Sequence, residues 1–241
     1  MGMRLPRARL VVSPLPSAGE TGRLSLEEAS HARARRLRPG DPVVLFDGSG
    51  REAEALLTHL DHGGGEVAVE RILPAGDPVA PVALFVAGLR AQRLAWLVEK
   101  STELSVESVT LVASARTQSF RGSAAMRERL ERVAREAAKQ CESCRWPRIA
   151  GPLPLDRALS ERPASQRLIL DPEGAVFPSE SSANAVALLV GPEGGWTAPE
   201  RETALARGWS LVSLPAGKLR AETAAIAALV LARALLEREK S

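Results

Sequence analysis

Tyrosine is absent from this chain, and phenylalanine and tryptophan occur only four times each. Aromatic residues make up 3% of the sequence, too few for a sheet-borne platform on which RNA bases stack. Cysteine occurs twice. The opening MGMRLPRARL holds no apolar core segment, so a secretory signal is not expected and a reducing cytoplasm is. No apolar run approaches a membrane span, because even the last helical stretch carries Arg233 and Glu237. Internal repeats are absent. So are the usual nucleotide loops: no glycine turn ends in Gly-Lys-Ser/Thr, and none has GxGxxG spacing with a downstream acid for a ribose.

The 241 residues are enough for two domains, and 45% hydrophobic content is ordinary for a globular protein. Net charge is only +3, which alone establishes no nucleic-acid partner. The distribution of charge says more. Arg33, Arg35, Arg36 and Arg38 are closely spaced, and a second basic group runs from Arg116 through Arg127, Arg135 and Lys139 to Arg145 and Arg148. Guanidinium suits phosphate, although solvated helix faces account for many such charges.

Two stretches organise the C-terminal half. In VALLVGPEGGWTAPE, residues 186–200, a short apolar run predicts a strand buried on both faces. Gly191, Pro192, Glu193, Gly194 and Gly195 form a turn. Thr197 then caps a helix, with Glu200 completing a capping box. In LVSLPAGKLRAETAA, residues 211–225, a second strand ends in Pro215-Ala216-Gly217 and leads into an alanine- and leucine-rich helix to about residue 239. Together these turns place Glu193, Arg220 and Glu222 on a pocket rim.

Residues 1–73 read as a small β-rich barrel. Strands are expected at 9–12, 42–47, 51–60 and 66–73. Asp47-Gly48-Ser49-Gly50 makes a hairpin turn, and a helix at 26–37 has Ser25 as cap and Glu28 completing a capping box. Residues 74–81 hold three prolines and read as a linker. From residue 82 the pattern becomes strand–helix alternation, with strands at 82–87, 108–113, 168–171, 187–190 and 211–214 and helices at 91–104 and 124–140. That pattern predicts a mostly parallel sheet covered on both sides.

GPEGG followed by LRAETA resembles the RsmE family, methyltransferases that modify N3 of a uridine in 16S ribosomal RNA. Glu99–Val106 resembles the family's KATELGV helix end, with Ser105 in place of the glycine. Glu136-Ala137-Ala138-Lys139-Gln140-Cys141 resembles its EAAKQS, and residues 31–50 resemble its N-terminal domain. The resemblance implies a PUA-like RNA-binding barrel (1–73) and a SPOUT-type knotted α/β methyltransferase domain (82–241). It implies S-adenosylmethionine as cofactor, 16S rRNA or the small ribosomal subunit as substrate, a homodimer, and no metal or membrane partner. The cofactor residues it implies are Leu170, Gly191, Pro192, Glu193, Gly194, Gly195, Leu214, Leu219, Arg220 and Ala221. Leu170 and Leu214 equally suit an ordinary core, and Glu193 equally suits holding the turn.

RNA contacts are expected from Arg7, Arg33, Arg36, Arg38, Arg116 and Arg145, with Arg7 or Arg116 able to act on the partner subunit's substrate. The family carries an arginine where this chain has Ser143, and Arg145 is the nearby substitute. N3 methylation requires loss of the N3 proton. Arg220 is the expected cation beside the uracil oxygens. Glu222 either takes the proton or, the favoured reading, orients Arg220 or caps the last helix. The alternatives are a SPOUT enzyme acting on a ribose 2′-oxygen or another base, and a non-catalytic ribosome assembly factor. Cys141-x-x-Cys144 and His59-x-x-His62 hold the inventory of a zinc site, but their separation in the chain argues against one.

Overall fold

A computed structural model describes residues 8–74, 79–117, 123–161 and 164–237. The chain forms two compact units: one of Met1–Pro78 with Ala138–Arg145, the other of Val79–Ala137 with Trp146–Ser241. The segment Ala138–Arg145, which the sequence reading assigns to the C-terminal domain, thus belongs with the N-terminal unit. Residues 75–78 of the expected linker lie outside the described residues.

The N-terminal unit is built from β1 (Arg9–Val11), β2 (Thr21–Leu24), α1 (Leu26–Ala34), β3 (Pro42–Phe46), β4 (Glu52–Leu60) and β5 (Gly65–Ile72). They form a five-stranded sheet in the order β1-β3-β4-β5-β2. β1 runs parallel to β3, and the other pairs are antiparallel. Alternate residues of β4, Ala53, Ala55 and Leu57, are buried, as period-two geometry requires of a sheet with one covered face. They pack with Leu10, Leu45, Val67 and the inner face of α1. The sequence reading missed β2.

It also misplaced Glu28. Ser25 caps α1 by accepting the Glu28 N–H at 3.2 Å, but the Glu28 side chain does not return to the cap. Its carboxylate is buried, accepts the Val11 N–H at 3.1 Å and pairs with the Lys139 ammonium. Lys139 is 8% exposed, so this member of the basic group is a structural cation and not a free one.

The C-terminal unit contains β6 (Val82–Ala87), α2 (Ala91–Glu103), β7 (Ser108–Ala113), α3 (Ala124–Gln140, whose last turn joins the other unit), β8 (Arg148–Pro154), α4 (Leu155–Ser160), β9 (Gln166–Val176), β10 (Val186–Val190), α5 (Ala198–Ala206), β11 (Ser210–Ser213) and α6 (Ala221–Glu237). Its six strands are all parallel, in the order β11-β9-β10-β6-β7-β8. Every residue of β10 is buried. Leu188 and Val190 join α2, α3 and α6 on one face, whereas Ala187 and Leu189 join α4 and α5 on the other. A parallel strand covered on both faces has no polar positions, which is why its sequence does not alternate. β8 and α4 were not anticipated, and β9 is far longer than the expected four-residue strand.

At the end of α2 the chain turns through Ser105, with φ +55°. Ser105 N–H donates to Thr102 O at 2.9 Å and Val106 N–H to Ser101 O at 3.0 Å, the paired bonds of a Schellman cap. Glycine is preferred there because a Cβ strains the left-handed conformation. Arg233 of α6 braces the turn by donating to the carbonyls of Leu104, Ser105 and Ala80.

Candidate active site

β9, β10 and β11 are neighbours in the sheet, and their carboxyl ends open onto one pocket of about 450 Å³. β9 makes room for it. Its register against β11 jumps from Leu211↔Ile169 to Val212↔Ala175, so residues 170–174 bulge out of the ladder. Pro172 has no N–H to give the ladder, and Gly174 lets the strand return. A Cβ on Gly174 would stand 2.5 Å from the Leu211 carbonyl carbon. Leu170, Asp171 and Pro172 consequently line the pocket.

The turn after β10 forms the next wall. Gly195 has φ +69°, and a Cβ on Gly191 would sit 2.8 Å from the Trp196 ring. Trp196 cannot retreat. It is 4% exposed, and its Nε1–H donates to Leu170 O at 3.0 Å, fastening this turn to the end of β9. Glu200 secures the other side. One carboxylate oxygen accepts Thr197 N–H at 2.8 Å and Thr197 Oγ1–H at 2.9 Å, and the other accepts Ala115 N–H at 2.8 Å from the loop after β7. The capping box read from sequence is present and also ties two loops together.

Of the expected cofactor residues, Leu170, Gly191, Pro192, Glu193, Gly195, Leu214, Leu219 and Ala221 line the pocket. Gly194 and Arg220 do not. Gly194 faces Arg116, whose guanidinium donates to its carbonyl. Arg220 is exposed, and its carbonyl accepts Ala224 N–H at 2.8 Å to close the first turn of α6.

Glu222, expected on the pocket rim, is not among the lining residues; it is 8% exposed and does not orient Arg220, for its Oε1 lies 3.5 Å from Arg93 Nε and its Oε2 is buried with no hydrogen-bond partner among the described residues. Arg93, in the first turn of α2, also donates to Glu193. Sequence reading missed Arg93, Trp196 and Asp171. Trp196 directly follows the glycine turn and was legible by position, but nothing in the spacing marks Arg93. Asp171 is 5% exposed, accepts Glu173 N–H at 2.9 Å and lies 3.5 Å from Arg201.

The expected RNA-contacting arginines differ in their freedom. Arg33 donates to Asp61 O, and Arg145 donates to Ser49 O at 2.7 Å while packing over Gly50. Arg36 and Arg38 are exposed, and Arg36 occupies the left-handed position after α1 with φ +59°. Arg7 lies outside the described residues. Burial, aided by the Glu52 charge, pushes the Cys144 thiol up, which disfavours the thiolate a metal needs. Among the described residues no three His, Cys, Asp or Glu side chains gather as a metal site, and no helix is long and apolar enough to cross a membrane.

Comparison with known proteins agrees with this geometry. The RNA methyltransferase domain family matches residues 76–233, and the RNA methyltransferase PUA domain matches residues 25–70. The chain is 31% identical to ribosomal RNA small subunit methyltransferase E of Synechocystis, over 95% of this chain and 78% of that protein. It is also 31% identical to the protein of that name from Mycobacterium bovis, over 90% and 88%. A ribosomal RNA small subunit methyltransferase E from Neisseria gonorrhoeae, solved with S-adenosylmethionine bound, superposes with a TM-score of 0.85 at 26% identity, covering 92% of this chain and 95% of that one. A Legionella pneumophila methyltransferase in complex with the same cofactor gives 0.83 at 26% identity, over 94% and 97%. The N-terminal unit of this chain thus carries the PUA domain and its C-terminal unit the RNA methyltransferase domain, and the chain belongs to the ribosomal RNA small subunit methyltransferase E (RsmE) family.

Proposed function

We propose that this chain uses S-adenosylmethionine to methylate small-subunit ribosomal RNA, and that the methylated atom is N3 of a uridine. The pocket at the ends of β9, β10 and β11 carries the reading. Its volume suits a nucleoside-sized ligand, and its walls are mostly main chain and small or apolar side chains, with Asp171, Glu193 and Lys218 as the charged members. Such walls recognise an adenine through backbone groups. Gly191, where a Cβ would strike Trp196, lets the turn pack tightly on that ring, and its main chain lines the pocket.

When bound, the cofactor supplies a methyl group already activated on a sulfonium. The chain's own task is to hold donor and acceptor in line and to control one proton. N3 lies on the pairing edge of uracil, so the base must be unpaired or extruded. Loss of the N3 proton leaves an anion whose charge is shared with the carbonyl oxygens, and that anion is the nucleophile. Arg220, exposed beside the pocket with no side-chain partner among the described residues, is the cation for that charge. Glu222 offers Oε2 as an acceptor.

In the PUA domain Arg36 and Arg38 present uncommitted guanidiniums to phosphate. Arg33 and Arg145 are held by carbonyls and contribute charge from fixed positions, and Arg7 and Arg116 complete the proposed set. A homodimer is supported by α2 and α6, which pack together and leave Trp96 and Val230 42% and 49% exposed. A cytoplasmic location is consistent with the proposed ribosomal substrate.

The test has two steps. Calorimetry with S-adenosylmethionine should show binding, and its absence supports an assembly factor. Mapping of rRNA from cells lacking the protein should then show one missing methyl group on a uracil base, restored by purified protein acting on small subunits. A methyl group located on the ribose overturns the N3 assignment.

A further inference from the structure

Arg93 is distant in sequence from both pocket loops, yet it holds a residue of each. Its Nη1 donates to Glu193 in the turn after β10, and its Nε stands 3.5 Å from Glu222 Oε1 at the start of α6. The arginine rides on a fixed element, because α2 buries Leu94, Leu97 and Val98 in the core. Its carboxylate partners sit on a loop and at a helix start. The Glu222 side chain is 11% exposed, and Oε2 has no donor among the described residues. A buried carboxylate oxygen without a donor is costly and uncommon, and it persists where a ligand supplies the missing group.

We propose that Arg93 is a positioning residue for methyl transfer: it grips Glu222 by one oxygen and leaves the other free to accept a hydrogen bond from an N–H of a bound ligand. The inference rests on the methyltransferase reading of this pocket. The N–H can belong to an amine of the cofactor or to N3 of the acceptor uracil. In either case the carboxylate must be fixed within a few tenths of an ångström, and a guanidinium carried by a rigid helix does that better than solvent.

The experiment measures the S-adenosylmethionine dissociation constant by calorimetry and kcat on purified small subunits with radiolabelled cofactor, using the full chain. Wild-type protein that neither binds cofactor nor transfers methyl overturns the reading of the site before any variant is made. With an active wild type, Arg93→Gln and Glu222→Gln should each lose on the order of 10²-fold. The double variant should lose no more than about threefold beyond either single, because one residue acts through the other. Arg93→Lys should recover at least about tenfold over Arg93→Gln, and it also serves if the glutamine variant fails to fold. A shared loss in kcat supports the acceptor N–H, and a shared loss in cofactor binding supports the cofactor amine. The proposal is overturned if Arg93→Gln behaves as wild type, if the two losses multiply, or if lysine rescues nothing.

Discussion

Glu28 in the N-terminal unit and Glu222 in the C-terminal unit are the glutamates buried among the described residues, at 4% and 8% exposure. Their surroundings differ. Glu28 has both oxygens answered, one by Lys139 and the other by the Val11 N–H, and its cation is buried with it. Glu222 has one oxygen facing a shared, partly exposed Arg93 and the other facing no donor. Burial alone therefore does not separate an architectural carboxylate from one reserved for a ligand. Saturation of its oxygens does, because a satisfied pair closes on itself whereas an unsatisfied oxygen requires something to arrive.

Lys139→Met tests the closed pair. It leaves Glu28 buried beside no cation, which costs about 3–5 kcal/mol. Thermal unfolding should fall by roughly 10 °C for a domain of this size. Adding Glu28→Leu should return part of that loss, since two apolar groups need no partner. Glu222→Gln, at similar burial, should move stability by no more than about 1 kcal/mol, because Arg93 keeps Glu193 and partial solvent. A large stability loss at Glu222 would erase the distinction between the two sites.

Gly191→Ala asks whether the pocket at the turn after β10 belongs to the cofactor. The new methyl group would stand 2.8 Å from Trp196 Cε2, and that ring is locked by its bond to Leu170 O. The turn must shift into the pocket, and cofactor affinity should fall at least about tenfold, near 1.4 kcal/mol, by calorimetry. Unchanged affinity would place the cofactor elsewhere.

The local rules that made the fold legible are the ones with a fixed period or a fixed offset. The apolar run at 187–190 became the body of β10 because a two-face burial leaves one residue class. Thr197 and Glu200 met across one helical turn as their spacing required. Arg93 was illegible for the opposite reason. Its partners come from loops far along the chain, and no periodicity links a first-turn arginine of α2 to the start of α6. β8 was missed because Gly151, Pro152 and Pro154 disguise a strand at the sheet edge, where proline is tolerated. Glu28 was misread because its helical offset from Ser25 fits a capping box, and only the tertiary partner, Lys139, withdraws the side chain from it.

Ser105→Gly sharpens the comparison by changing stability in the C-terminal unit without touching either glutamate. Relief of the left-handed strain at φ +55° should stabilise by about 0.5–1 kcal/mol, raising the unfolding midpoint by roughly 2–3 °C. Methyl transfer should hold at the wild-type rate, so a change at Glu222 or Arg93 can be read as function and not as a consequence of stability.

The smallest expected effect comes from a third carboxylate, more fully answered than either glutamate. Burial raises the Asp47 pKa, but hydrogen bonds from Ser49, Arg51 and the Leu15 N–H outweigh it and hold the carboxyl below its ordinary value of 3.8. A group whose folded pKa is depressed adds stability that is complete above the unfolded value and is lost as pH falls through the folded one. Asp47→Asn should therefore destabilise at neutral pH by less than about 1 kcal/mol, with wild type and variant converging below pH 4. Urea midpoints across pH 2–7 check this. A gap that stays constant down to the lowest pH would mean that Asp47 acts through shape alone, and that saturation of its oxygens carries no charge-dependent stability.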